Sequence, residues 1–120
     1  MARPRKWKKV CAVPEINLYG PIEEAHRSSE TIIMTIEEYE TIRLIDQERL
    51  TQEESAQMMH VARGTIQRLY TDARAKLAES LINGHVIKIE GGDYLLSSEE
   101  ERRQGCGHCR RNRCGRRVIE

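Results

Sequence analysis

The chain contains no phenylalanine, and its aromatic share is 4%, carried by one tryptophan and four tyrosines. Its core must therefore rest on Ile, Leu, Val, Met and Ala, which favours a small helical core. Long apolar runs are missing too, so no stretch is suited to span a bilayer. The basic residues after Met1 are followed by Val10, Cys11 and Val13 and then by Pro14 and Glu15, which is not the pattern of a signal peptide. A cytoplasmic location without membrane partners is the expectation. In that compartment the four cysteines are expected as reduced thiols or metal ligands, not as a disulfide framework. Ser/His/Asp, paired-carboxylate and phosphate-loop arrangements are also missing, so an enzyme is not expected.

With 120 residues there is room for one domain with modest extensions. The formal net charge is only +1, but the charges are segregated. Arg3, Arg5, Lys6, Lys8 and Lys9 crowd one end, and Arg102 to Arg117 the other. The acids gather between Glu37 and Glu54. Basic termini around a more acidic scaffold suit a polyanionic partner better than the net charge suggests.

Three segments follow. Residues 1–30, with Pro4, Pro14, Pro21 and Gly20, show no sustained periodicity and are expected as a basic extended arm, either one that follows a groove or phosphate track or a solvated tail. Residues 31–97 form the folded domain. Thr31 to Thr35 has the β-branched density of a short strand, and Thr35 with Glu38 makes a capping box that opens a helix to about Asp46. A second capping box at Thr51 and Glu54 opens a short helix carrying Ala56 and Met59 inward. From Arg63 onward Ile66, Leu69, Tyr70, Ala73, Leu77 and Leu81 recur at intervals of three and four, drawing an apolar stripe on a long helix that Asn83 and Gly84 end. Val86 to Ile89 and Tyr94 to Leu96, around Gly91-Gly92, read as a β-hairpin, with Thr31 to Thr35 as a third strand. The fold class is thus mainly α: a three-helix core with a small β-hairpin or short sheet and flexible basic termini.

The informative constellation is Gln52, Ala56, Val61, Ile66 and Leu69, set between a short and a long helix that are joined by a few residues around His60. This is helix-turn-helix spacing. Ala56 lets the helices approach, Val61 plugs the turn, and Ile66 and Leu69 anchor the second helix. Arg63, Gly64, Thr65, Gln67, Arg68 and Thr71 then lie near the amino end of that helix, the part that enters a major groove in this motif. Arg is suited to guanine and Gln to adenine, while Gly64 permits close backbone approach. Thr51 and Gln52 are placed for a phosphate at a helix amino terminus, and Arg74 and Lys76 for phosphates further along. His60 stands where such a turn usually carries a glycine with positive φ, a region His tolerates.

The stretch from MTIEEYETIRLIDQERL through TQEESAQMMHVARGTIQRLY to INGHVIKIEGGDY, with the opening ARPRKWKKVC and VPE, resembles an uncharacterised prokaryotic family of small predicted DNA-binding proteins. Gln52 to Leu81 is also similar to region four of primary and extracytoplasmic sigma factors. The resemblance implies this fold and double-stranded DNA binding through Arg63, Gly64, Thr65, Gln67 and Arg68. It implies no operator.

Residues 98–120 are a Cys-rich basic tail in which Cys106, Cys109 and Cys114 have the density of a structural metal site, with His108 or Cys11 as fourth ligand. Zinc is the expected ion, iron–sulfur the less expected alternative. A ligand-free basic tail and a reversible thiol sensor are the competing readings. Transcriptional regulation by a homodimer is the leading function, with the hairpin edge from Val86 to Leu96 as the interface. The alternative is an interaction module that meets RNA polymerase or a sigma factor through the acidic helix from Ile36 to Asp46.

Overall fold

A computed structural model describes residues 7–96. Arg3, Arg5 and Lys6, and the whole of the Cys-rich tail, lie outside the described residues. Both capping boxes form. Thr35 Oγ1 accepts from Glu38 N at 3.2 Å and Glu38 Oε1 from Thr35 N at 2.9 Å, opening α1 (Ile36–Ile42). Thr51 and Glu54 make the same reciprocal pair at 3.0 and 2.9 Å to open α2 (Gln52–Met59). Each satisfies two backbone donors that a helix start leaves without partners. Past Ile42 the helix widens into a π-helical turn, Arg43–Gln47, which carries it to the expected end with Leu44 fully buried. The long helix, α3 (Arg63–Asn83), ends at Gly84, whose φ of 74° is the left-handed conformation glycine adopts without steric cost.

The described residues form five strands, which depart from the expected hairpin. They are β1 (Lys8–Val10), β2 (Leu18–Tyr19), β3 (Thr31–Met34), β4 (Val86–Ile89) and β5 (Tyr94–Leu96). β4 is central in a three-stranded sheet, antiparallel to β2 and parallel to β3, whereas β5 pairs in parallel with β1. The glycine turn after β4 does not reverse onto it because α1 holds it. Ile36 N donates to Gly91 O at 3.0 Å, and Asp93 N donates to Glu37 Oε2 at 3.2 Å. Gly92, at φ 109°, packs so tightly on the Glu37 carboxylate that any Cβ would collide with it. The chain is thereby led across the amino end of α1 toward β1. Both edges of β4 are thus paired, whereas β5, the other half of the segment expected as a dimer interface, pairs with β1 alone among the described strands.

The amino-terminal segment is likewise more than an arm. From Lys8 onward it enters the fold, burying Val10 and Cys11 against the rest of the molecule. Val10 joins Met34, Ile36, Leu44, Met59, Ile66, Leu69, Ala73, Ile87 and Ile89 in a single apolar core between sheet and helices. Each Val, Leu, Ile or Met side chain among them contributes about 1.5–3 kcal/mol on full burial.

The acids of α1 point inward. Glu37, Glu38 and Glu40 are buried, and each meets a cation: Lys8 Nζ at 3.4 Å from Glu37, Lys76 Nζ at 2.7 Å from Glu38, and Arg43 Nη2 at 2.9 Å from Glu40. Glu40 Oε2 also accepts from Cys11 N at 3.2 Å, fastening the end of β1 to α1. The helix expected to offer an acidic face to RNA polymerase therefore has three of its carboxylates turned into the protein. Burial in this setting also raises the Tyr39 phenol above its ordinary value.

Candidate nucleic-acid interface

The relation between α2 and α3 is set at His60. Its φ of 58° and ψ of 46° place a non-glycine residue in the left-handed region. That bend lets Val61 N donate to Ala56 O at 3.0 Å, ending α2 and turning the chain within three residues. Ser55, Ala56 and Met59 are buried on one side, and Ile66, Leu69 and Ala73 on the other, so small residues of α2 sit against the apolar stripe of α3. The turn plug Val61 packs against the same core.

With Ile66 and Leu69 anchored inside, helical geometry turns Arg63, Gly64, Gln67, Arg68 and Thr71 outward, and all five are exposed. Gly64, Gln67, Arg68 and Thr71 line one shallow hollow together with Asp72. A Cβ at Gly64 would meet nothing within 4 Å, so packing does not require glycine there. Thr65 is half-buried beside them. The amino end of α3 also differs chemically from the other helix starts. It has no side-chain cap and no acid in its first turn, whereas α1 and α2 each carry two glutamates there. The positive end of the α3 dipole is thus left without a local countercharge.

Other expected contacts fare differently. Thr51 is exposed and Gln52 half-buried at the start of α2, where the Thr51 hydroxyl accepts from the helix and retains its own proton to donate. Arg74 lies 5.4 Å from the Tyr70 ring centre, and its Nη1 is 2.6 Å from Tyr70 Oη and 3.4 Å from Asp46 Oδ1. Tyr70 in turn donates to Asp46 at 2.8 Å; desolvation and then this hydrogen bond raise its pKa. Lys76 is committed to Glu38 within the fold and is mostly covered. Arg74 stays more than half exposed beside Asp46, whereas Lys76 is engaged by a buried carboxylate. Asp72 was not among the expected residues, although its spacing of four from Arg68 marks it on the same face.

Cys106, Cys109, Cys114 and His108 fall outside the described residues. Cys11 does not: it is buried at the end of β1, disulfide-bonded, with Arg43 Nη2 3.1 Å from Sγ. That state departs from the expectation of four reduced thiols. Among the described residues no group of three His, Cys, Asp or Glu side chains is arranged to hold a metal ion, and no described helix is long and apolar enough to cross a membrane.

These elements define a mainly helical protein, three helices packed on small sheets, with an exposed polar helix end. The chain belongs to the family described as protein of unknown function DUF134, whose model matches residues 1–97. It is 52% identical to the UPF0251 protein DSY3441 of Desulfitobacterium hafniense, over 96% of this chain and 93% of that protein. Identity to the UPF0251 protein TTE1845 of Caldanaerobacter subterraneus is 44%, over 88% and 89% of the two chains. The UPF0251 protein CT1277 of Chlorobaculum tepidum is 38% identical over 91% of this chain but only 55% of its own length. No solved structure matches the chain.

Proposed function

We propose that the protein is a sequence-specific double-stranded DNA-binding regulator of transcription, non-enzymatic, in which α2, the turn at His60 and α3 act as a helix-turn-helix similar to sigma factor region four. The observation that carries the reading is the outward set of Arg63, Gly64, Gln67, Arg68 and Thr71 on the first turns of α3, braced from behind by Ile66 and Leu69. Arg68 supplies a bidentate donor pair for guanine, and Gln67 a donor and an acceptor for adenine. Gly64 keeps the helix surface low where it would approach base edges. The uncapped amino end of α3 and Thr51 at the start of α2 provide phosphate contacts. One such helix reads few base pairs, so two copies on half-sites about 34 Å apart complete the reading.

Selection of bound duplexes from a random pool, followed by a salt titration, is the test. Binding should weaken steeply with salt. Arg68→Ala and Gln67→Ala should each relax preference at one base position, at a cost of roughly 1–3 kcal/mol. A pool that emerges without a preferred sequence, or variants that select the wild-type sequence unchanged, would sink the reading. The RNA polymerase alternative loses its main support, since Glu37, Glu38 and Glu40 face inward.

A second reading rests on the spacing of Cys106, Cys109 and Cys114, with His108 or, in the reduced chain, Cys11 as the fourth ligand. A segment so poor in apolar residues gains little by burial, whereas zinc binding to small peptides contributes ~10–16 kcal/mol toward ordering them. Thiolates are required, so the metal belongs to the reduced protein. Metal analysis after anaerobic purification should find near-stoichiometric zinc that a triple Cys→Ser variant loses. A coloured, oxygen-sensitive preparation would point to iron–sulfur instead, and equal trace metal in both proteins would end the proposal.

A further inference from the structure

Cys11 follows β1 into the fold, where it is 3% exposed, and its sulfur is disulfide-bonded. The chain has four cysteines, and the other three, Cys106, Cys109 and Cys114, all come after Leu96. The strand register brings that exit beside Cys11, because β1 and β5 run parallel with Val10 opposite Leu96. Neighbouring strands lie about 4.8 Å apart. The chain therefore leaves β5 next to the residue that precedes Cys11. Cys106 then has about ten residues, roughly 33 Å of extended chain, in which to return to it.

We propose that Cys11 and one of the three tail cysteines form a reversible redox latch, which fastens the basic carboxy-terminal segment to the end of β1 when oxidised and releases it when reduced. A tether this short gives the tail thiols a local concentration in the millimolar range at Cys11, so closure within the chain outruns a bond to another chain. Cys106 closes the smallest ring. The surroundings of Cys11 suit opening as well as closing. An incoming thiolate cannot reach its buried sulfur, so attack falls on the tail sulfur and Cys11 departs as the thiolate. Arg43 Nη2, 3.1 Å from Sγ, is placed to donate to it, and an N–H bonds a charged acceptor more strongly than a neutral one. Glu40 and Glu48 hold the guanidinium there, at 2.9 and 3.5 Å. A leaving thiolate stabilised in this way departs faster.

Opening takes two electrons from a dithiol. One of its thiolates bonds to the tail sulfur and expels the Cys11 thiolate, and its second thiolate then displaces the tail cysteine and leaves a cyclic disulfide. Closing takes a small-molecule disulfide of the glutathione class. A tail thiolate attacks it and expels one glutathione thiolate, and the Cys11 thiolate then attacks the tail sulfur of the mixed disulfide and expels the second. Both cysteine protons end on glutathione. The latch stands without the DNA reading. It draws on the same thiols as the metal reading, so the latch is tested with a chelator present and zinc is judged separately on the reduced chain.

The full chain is equilibrated across ratios of reduced to oxidised glutathione, its remaining thiols are alkylated, and its peptides are mapped. Oxidised protein should carry Cys11 joined to a tail cysteine, Cys106 foremost, and dithiothreitol should open that bond without urea. Because the bond closes a ring of nearly the whole chain, the oxidised form should unfold at higher urea than the reduced form, a difference that Cys11→Ser abolishes. Arg43→Gln should slow opening by dithiothreitol about threefold or more, and Arg43→Lys should restore most of the rate. A fold merely loosened by the substitution would open faster, and that result would overturn the role given to Arg43. Cys11 still open to alkylation in the oxidised chain would overturn the latch. So would disulfide-linked dimers that Cys11→Ser abolishes, or a bond that dithiothreitol opens only in urea.

Discussion

At the scale of single residues, His60 and Lys76 show how far sequence reasoning reaches. The need for a left-handed residue after α2 is legible from the spacing of Ala56 and Val61, and His60 takes that conformation at φ 58° although glycine would do so without strain. His60 is exposed, so the strain is not offset by burial of its ring. His60→Gly should therefore stabilise the protein by up to about 1 kcal/mol in urea unfolding. A clear loss of stability would mean that the imidazole contributes something beyond the turn. Lys76 is the opposite case. A basic residue on a helix surface reads as a phosphate contact, because nothing local reveals a carboxylate 38 positions earlier. With Nζ 2.7 Å from buried Glu38, Lys76→Met should cost about 1–3 kcal/mol of stability by leaving a carboxylate underpaired. The salt dependence of DNA binding should not change. A shallower salt slope at unchanged stability would restore the phosphate role.

At the scale of elements, helix starts are legible because capping is local: Thr35 with Glu38 and Thr51 with Glu54 are each complete within four residues. The stripe on α3 is legible for the same reason, and Ile66, Leu69 and Ala73 are buried as its period requires. Strand pairing is not local. Two short apolar runs around Gly91-Gly92 fit a hairpin by pattern, but the decision is made by Glu37, which binds Asp93 N and packs on Gly92 from more than fifty positions away. The acidic run of α1 misleads similarly, since composition places carboxylates on a helix without telling which face the core takes. The outward positions of α3 are the best-read part of the candidate site. They follow once Ile66 and Leu69 are inside, by the 3.6-residue period alone, and Asp72 follows by the same rule.

At the scale of the whole molecule, the amino-terminal residues link the sheets, the buried charges and the proposed reading head. An arm that tracked DNA would contribute to affinity and little to stability, and residues rich in Lys and Arg invite that reading. β1 argues otherwise from Lys8 onward: it pairs with β5 along Lys8 to Val10, delivers Lys8 to the Glu37 carboxylate, and buries Val10 in the common core. Removing it leaves β5 without its partner strand and Glu37 without its cation, and opens a space in the core against α1 and α2. A chain beginning at Cys11 should lose about 3 kcal/mol or more in urea unfolding, and Val10→Ala alone about 1–3 kcal/mol through the cavity it creates. The two measurements belong together, because the point variant keeps every amino-terminal charge. If DNA affinity fell in the truncated chain while both proteins unfolded at the wild-type urea midpoint, the segment would be an arm after all. The structure predicts the reverse order for Val10→Ala, with stability lost and the salt dependence of DNA binding retained.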